Sequence, residues 1–147
     1  MSPIPKVSIV MPAYNAGRFI EAAVNSILDQ TFQDFELIIL DDGSNDDTVA
    51  IIQGYSDHRI RLIQKENEGV AATLNRGVKL ARGQYIWRHD ADDISLPEKL
   101  QKEVAFLEQH EHCLLVATQV AFMTERGKVA WKKRQPKSQW LGDESHR

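Results

Sequence analysis

The chain has 147 residues, 42% of them hydrophobic, which is the length of one domain with enough apolar content for a core. Eighteen Lys plus Arg against 21 Asp plus Glu leave a net charge of −3, which excludes a general affinity for nucleic acid. Cys113 is alone, so an intrachain disulfide is excluded and a reducing cytosol is the natural compartment. Leu114-Leu115-Val116 after it predicts a buried structural thiol. The N-terminus Met1-Ser2-Pro3-Ile4-Pro5-Lys6 lacks the apolar core of a signal peptide. No apolar run approaches the roughly 20 residues of a membrane span, so the expected location is cytoplasmic. Charge is unevenly spread: Arg126, Lys128, Lys132, Lys133, Arg134 and Lys137 form a basic run without an acid among them. Such a run reads as a solvated tail, with peripheral contact at the inner face of a membrane as the sharper alternative.

Val7-Ser8-Ile9-Val10-Met11 is short, β-branched and flanked by prolines, the pattern of a buried strand. Pro12 to Gly17 is a loop of turn formers. Phe19, Ile20, Ala23, Val24, Ile27 and Leu28 then recur at helical spacing, predicting a helix over 17–30. Phe35 to Leu40 is nearly continuous in apolar character, as in a strand covered on both faces. It ends in Asp41-Asp42-Gly43-Ser44-Asn45-Asp46-Asp47-Thr48, where Ser44 and Asp47 have N-cap and N3 spacing for a helix over 45–54. Arg59 to Ile63 alternates like a third strand. Asn67-Glu68-Gly69 opens a helix whose apolar positions are Val70, Leu74, Val78, Leu80 and Ala81, with Gly83 as its C′ residue. Gln84 to Arg88 is the fourth strand, and Pro97 starts a helix that runs to about His110. Cys113 to Met123 is strand-like, 124–127 is a turn, and Lys128 to Trp131 is a last strand. Residues 1–131 therefore read as one domain and 132–147 as a polar basic tail, truncated or disordered.

Alternating strands and helices define an α/β fold: an open, mostly parallel sheet with helices on both faces. Ligands of such sheets bind outside the carboxyl ends of the strands. Three unusual loops occupy that edge: Pro12 to Asn15, Asp41 to Ser44, and Asp90 to Asp93. Three carboxylates within four residues (Asp90, Asp92, Asp93) repel one another unless a cation or buried donors compensate. A hard divalent ion does so naturally, taking one or two carboxylates and leaving the remaining positions to phosphate oxygens. The plainer alternative is a solvated acidic turn with Asp93 or Ser95 capping the next helix. Asp42, beside a glycine that admits close approach, suits acceptance of hydrogen bonds from a base or ribose; capping of the following helix is its alternative.

Several classes fail on their residues. No G-x-G-x-x-G follows the first strand, no Gly-Lys-Ser/Thr appears, and the acidic run 41–47 lacks the glycine and glutamate positions of a calcium loop. His58, His89, His110, His112 and His146 lack zinc-ligand spacing; His110 and His112 read as surface residues at a helix end. His89 adjoins the acidic cluster and is a weak functional candidate.

The ordered set Val7-Ser8-Ile9-Val10-Met11-Pro12-Ala13-Tyr14-Asn15, Ser26 to Phe32, Glu36 to Ser44, Asn67-Glu68-Gly69, Leu74 to Gly77, Ala81-Arg82-Gly83 and Asp90 to Pro97 resembles the nucleotide-sugar-binding half of the inverting family 2 glycosyltransferases. These have a GT-A, Rossmann-like fold, and the resemblance covers residues 5–125. It implies transfer of a sugar from a nucleotide-diphosphate donor, most often a UDP-sugar, to an acceptor hydroxyl on a glycan, a lipid-linked sugar or another molecule, as in polysaccharide biosynthesis. By position, Pro12, Ala13 and Tyr14 would line the base and ribose site and Asp42 would hold the base. Asp90-Ala91-Asp92 matches the D-x-D motif. Asp92 would be the direct ligand of Mn²⁺ or Mg²⁺, with Asp90 nearer the ribose and metal waters, and Arg76 or Arg88 would assist at the phosphates. The resemblance also implies a second half carrying the acceptor site and a general base. Asp143 and Glu144 are the only acids after Glu125, and they lie in a polar tail, so no catalytic base is assigned and the chain is expected to be a fragment. A surface left bare by the missing half predicts a homodimer. A non-catalytic interaction or regulatory domain with the same fold is the second reading. A nucleotidyltransferase is the third, disfavoured because no glycine-rich basic loop follows the first strand.

Overall fold

Residues Val7 to Ala13 form the central strand, and the sheet grows outward from it on both sides. The computed structural model describes residues 4–124 and the backbone of 129–132. In chain order the elements are β1 (Val7–Ala13), α1 (Ile20–Leu28), β2 (Phe35–Asp41), α2 (Thr48–Gln53), β3 (Ile60–Gln64), α3 (Val70–Leu80), β4 (Tyr85–Arg88), α4 (Lys99–Gln109), β5 (Ala121–Met123) and β6 (Val129–Lys132). The first four strands make one parallel sheet in the order β3-β2-β1-β4. All seven residues of β2 are buried, as its unbroken apolar run predicts. Val10, Ile38 and Leu40 point to one face, against Leu74, Leu80 and Ala81 of the α3 region. Ile9, Met11, Leu37 and Ile39 point to the other and are fully buried as well, so both faces are covered. On the edge strand β3, Ile60 to Ile63 are all half-buried rather than alternating.

β1 continues through Pro12, two residues further than a proline-terminated reading predicts. The His89 amide donates to the Val10 carbonyl (3.1 Å), so even-numbered residues of β1 turn their backbone groups toward β4. β4 pairs only with Val7 to Val10. Pro12 therefore faces an open gap, where its missing N–H costs no ladder bond.

The apolar pattern of α3 misassigns part of its buried face. Val70 and Val78 are exposed, whereas Thr73 and Gly77 are buried. Gly77 explains the shift, because a Cβ there would lie 2.3 Å from Val10 Cγ1 and 2.9 Å from Leu40 Cδ1. The helix thus sits down on the sheet along Thr73 and Gly77. Gly83 is not a left-handed helix cap either: α3 leaves through Ala81 in an extended conformation (φ −66°, ψ 137°). A Cβ on Gly83 would stand 2.5 Å from the Ser8 amide nitrogen, so close approach to β1 is what requires glycine. Ser44 does not cap α2, which begins at Thr48 after Asp47 without a side-chain cap. Its hydroxyl accepts from the Asn15 amide instead (2.9 Å).

At the amino end of the sheet, buried Glu36 accepts the Ser8 hydroxyl (2.7 Å), Arg61 Nη1 (2.8 Å), and Arg82 through Nε (3.1 Å) and Nη2 (2.9 Å). Burial pushes this carboxyl up, but the bonds from Arg82, Ser8 and Arg61 outweigh it and hold the pKa at about 2.

The chain divides into two compact units, Met1–Gln101 and Lys102–Arg147, with the division inside α4. In the second, β5 pairs antiparallel with β6. Only Ala121 to Met123 of the strand-like stretch 113–123 is a strand. Leu114 and Leu115 are 97% and 83% exposed and Cys113 is half-buried, so the expected buried thiol is corrected. An apolar run is buried only where a neighbour pairs with it, and residues 113–120 have no strand partner among the described residues. The expected turn beyond Thr124, most of the basic run, Asp143 and Glu144 lie outside the described residues.

Gly77→Ala is expected to destabilise the chain by up to about 2 kcal/mol in urea unfolding, because overpacking of about 1–3 kcal/mol is set against a gain of roughly 1 kcal/mol in helix propensity. The depressed Glu36 pKa makes a second prediction. Its stabilisation is complete above the unfolded value of 4.5 and is lost as pH falls toward about 2. Glu36→Gln should abolish that part of the pH slope in thermal melts, and an unchanged slope would assign it to other groups.

Candidate functional site

Beyond Val10 and Arg88 the inner strand β1 and the edge strand β4 part, and a cavity of about 590 Å³ opens at their carboxyl ends. The order β3-β2-β1-β4 reverses direction here, which makes this the switch-point crevice of an open parallel sheet. Its volume suits a small-molecule ligand. Pro12, Ala13 and Tyr14 line one side, Asp42, Asn67, Gly69 and Val70 another, and Arg88, Asp90, Ala91 and Asp92 a third. The three loops singled out along the chain thus meet at one place. Arg76 is not among the lining residues; it lies on the exposed side of α3. Asn67, Gly69 and Val70 were missed as site residues. The signal for Gly69 was its place before the helix, where φ is +85°.

The loops at β1 and β2 are laced together by polar side chains. Asn15 Oδ1 accepts from the Asn45 amide (2.8 Å), Thr48 Oγ1 from the Ala16 amide (2.8 Å), and Asp46 Oδ2 from the Gly17 amide (2.9 Å). These bonds occupy groups that would otherwise cap helices, and they hold Tyr14, half exposed, at the mouth of the cavity.

Asp42 is buried and caps nothing in α2. Its Oδ1 accepts the Glu68 amide (2.9 Å) and the Lys65 ammonium, and its Oδ2 accepts the Gly69 amide (2.9 Å). Burial raises this carboxyl, but Lys65 and the Glu68 amide prevail and hold it below its ordinary value. Asp42 therefore stays charged and anchors the 65–69 turn, with a further side-chain bond from Thr73. Lys65 was not foreseen at all, because a lone lysine between strand and helix carries no pattern. Asp41, also buried, accepts the Ser44 amide on Oδ2 (3.3 Å), and its Oδ1 has no hydrogen-bond partner among the described residues.

The acidic loop is held from behind. His89 is buried, its Nδ1 2.9 Å from the Asp90 carbonyl and its Nε2 3.0 Å from Ser95 Oγ. A carbonyl only accepts, so Nδ1 carries the proton and Nε2 accepts from Ser95. Burial keeps the imidazole neutral, with a pKa of about 4. His89 is thus a strut and not a proton carrier at neutral pH. The Ser95 amide donates to Ser26 Oγ (3.2 Å), and buried Gln30 bridges the Leu96 carbonyl (2.9 Å) and the Leu100 amide (3.0 Å). In front, Asp90 and exposed Asp92 face the cavity. Desolvation, reinforced by Asp90 and Asp92, raises the Asp93 carboxyl although the residue reaches the surface. No group of three metal-ligating side chains occurs among the described residues. Two carboxylates with excess negative charge beside an open cavity nonetheless fit a hard divalent ion whose remaining ligands come from a bound phosphate.

A parallel sheet with polar loops gathered at a single switch point is the architecture of an α/β protein that binds its ligand at the carboxyl edge of the sheet, and the comparisons narrow this further. The family described as "Glycosyl transferase family 2" matches residues 8–145, so the chain belongs to that family. EpsE of Bacillus subtilis (strain 168), which carries a glycosyltransferase name, is 45% identical over 127 residues, 84% of this chain and 46% of EpsE. Among solved structures, S. aureus TarS 1–349 in complex with UDP-GlcNAc has a TM-score of 0.68 and 31% identity, covering 72% of this chain and 32% of TarS 1–349. The mannosyltransferase PcManGT from Pyrobaculum calidifontis, in complex with GDP-Man and Mn²⁺, has a TM-score of 0.65 and 25% identity, covering 72% of this chain and 33% of PcManGT. The chain spans less than half the length of EpsE. No helix among the described residues is long and apolar enough to cross a membrane.

Lys65→Met should leave Asp42 charged and short of its cation, loosening the 65–69 turn. Faster proteolytic cleavage in that turn and a lower melting temperature are the expected results; an unaltered cleavage pattern would show that the two backbone amides suffice.

Proposed function

We propose that this chain is the donor-binding half of a glycosyltransferase that moves a sugar from a nucleoside-diphosphate sugar, a UDP-sugar foremost, to an acceptor hydroxyl with inversion. The observation that carries this reading is the convergence of Pro12 to Tyr14, Asp42, and Asp90 with Asp92 on one switch-point cavity. Tyr14 and the Pro12 and Ala13 edge offer a flat apolar wall to base and ribose. Asp42 stands as the acceptor for an N–H of the base, and its bonds to the Glu68 and Gly69 amides fix where that carboxylate stands. Asp90 and Asp92 face the cavity, and their charge calls for a cation. Asp92, with Asp90 beside it, would hold Mn²⁺ or Mg²⁺, which would supply positive charge against a leaving nucleoside diphosphate. The His89 and Gln30 struts keep the acidic loop in place, so that charge stabilisation needs little reorganisation. The neighbours solved with UDP-GlcNAc and with GDP-Man and Mn²⁺ support the donor class and the metal. Deprotonation of the acceptor belongs to a group outside the residues assigned here. The acceptor class of a glycan or lipid-linked sugar follows the same reading.

A non-catalytic binding domain is the second reading, favoured by the lack of an assigned general base among the described residues. Titration of the 147-residue chain with UDP is expected to show binding that strengthens at least tenfold with Mn²⁺ and loses that increment in Asp92→Ala. Equal binding with and without metal, or by the variant, would sink the metal-assisted reading. Donor hydrolysis or transfer by this chain would exclude the non-catalytic one.

A further inference from the structure

Arg88 and Asp90 flank the buried strut His89, and their side chains meet at the cavity wall. The Arg88 guanidinium spans both carboxylate oxygens, with Nη2 at 2.9 Å from each and Nε 3.2 Å from Oδ1. Both line the cavity, and their side chains are 60% and 40% exposed. A pair this wet is cheap to part. The backbone beneath it is not, because the His89 amide is bonded to the Val10 carbonyl and its ring to the Asp90 carbonyl and Ser95. Exchange of partners is therefore open to the two side chains while the loop stays where it is. A guanidinium fork fits phosphate oxygens as well as it fits a carboxylate.

We propose that Arg88 is the resident counter-ion of the acidic loop, competing with the divalent cation for Asp90 until a nucleoside diphosphate draws the guanidinium onto its phosphates. The inference rests on the donor-binding reading above. It adds that metal and nucleotide enter together, because the diphosphate removes the cation that opposes the metal. Arg88 binds ligand in this scheme and takes part in no bond-breaking step.

The test uses Arg88→Met, which keeps the apolar stem and removes the charge, with Arg88→Lys as a charge-retaining second variant. Mn²⁺ binding without nucleotide is read from the paramagnetic resonance of free Mn²⁺, and UDP and uridine binding from calorimetry in saturating Mn²⁺. Arg88→Met should bind Mn²⁺ alone about three- to tenfold more tightly, the effect of removing a unit charge several ångströms from a divalent ion in a water-like medium. It should bind UDP at least tenfold more weakly and uridine unchanged. Arg88→Lys should keep the wild-type Mn²⁺ affinity and bind UDP with intermediate strength. Unchanged or weaker Mn²⁺ binding by Arg88→Met, or unchanged UDP binding, overturns the proposal. The donor-binding reading fails separately, in the wild-type protein, if UDP and Mn²⁺ do not strengthen each other; that result overturns the exchange too.

Discussion

The bond from the His89 amide to the Val10 carbonyl is the last rung joining β1 to β4. Beyond it the strands diverge, and the cavity opens in that divergence. Pro12 turns into the gap because a residue without an N–H fits best where no neighbour asks for one. Arg88 and Asp90, on either side of the rung, are aimed into the same gap. The buried ring of His89 lies behind them, between Trp87 at its edge and Ser95 at its far nitrogen.

Two polar arrangements transmit this geometry to the rest of the sheet. At the carboxyl edge, Asp42 gathers Lys65 and the amides of Glu68 and Gly69, so that the entry to α3 becomes one wall of the cavity. At the amino edge, Glu36 with Ser8, Arg61 and Arg82 ties the exit of α3 to β1 and β2. α3 is therefore held at both ends by buried carboxylates of β2 and its following loop. Gly77 lets its middle settle against Val10 and Leu40. The charge of Asp42 is answered by Lys65 and the backbone amides, whereas that of the Asp90 to Asp93 loop is answered only in part, by Lys99 and Arg88. That asymmetry separates a carboxylate bound into the fold from acids whose mutual repulsion is left at the cavity.

Membership of glycosyl transferase family 2 agrees with this division of labour. EpsE is longer than this chain, which spans 46% of it. The residues that line the cavity lie within positions 12–92.

The sequence by itself determined the alternation of strands and helices, the parallel sheet and the edge at which the functional loops lie. Those properties follow from local patterns: β2 is apolar throughout because both faces are covered, and Asp41-Asp42-Gly43-Ser44 interrupts that run where the strand ends. The D-x-D stretch was legible for the same reason, since like charges in a row are a local anomaly. Only the tertiary structure decided the contacts between distant residues. Val70 and Val78 have the right spacing for a buried face and are exposed, because how closely a helix approaches a sheet is set by one glycine against Val10. Ser44 has the spacing of a cap and instead ties to Asn15, because the neighbouring loop presents an unpaired amide at that point. Arg76 and Arg88 are equal in charge and differ in whether a strand end or a helix surface carries them. Lys65 was invisible, since its role exists only once β2 and β3 lie side by side and bring its ammonium to Asp42.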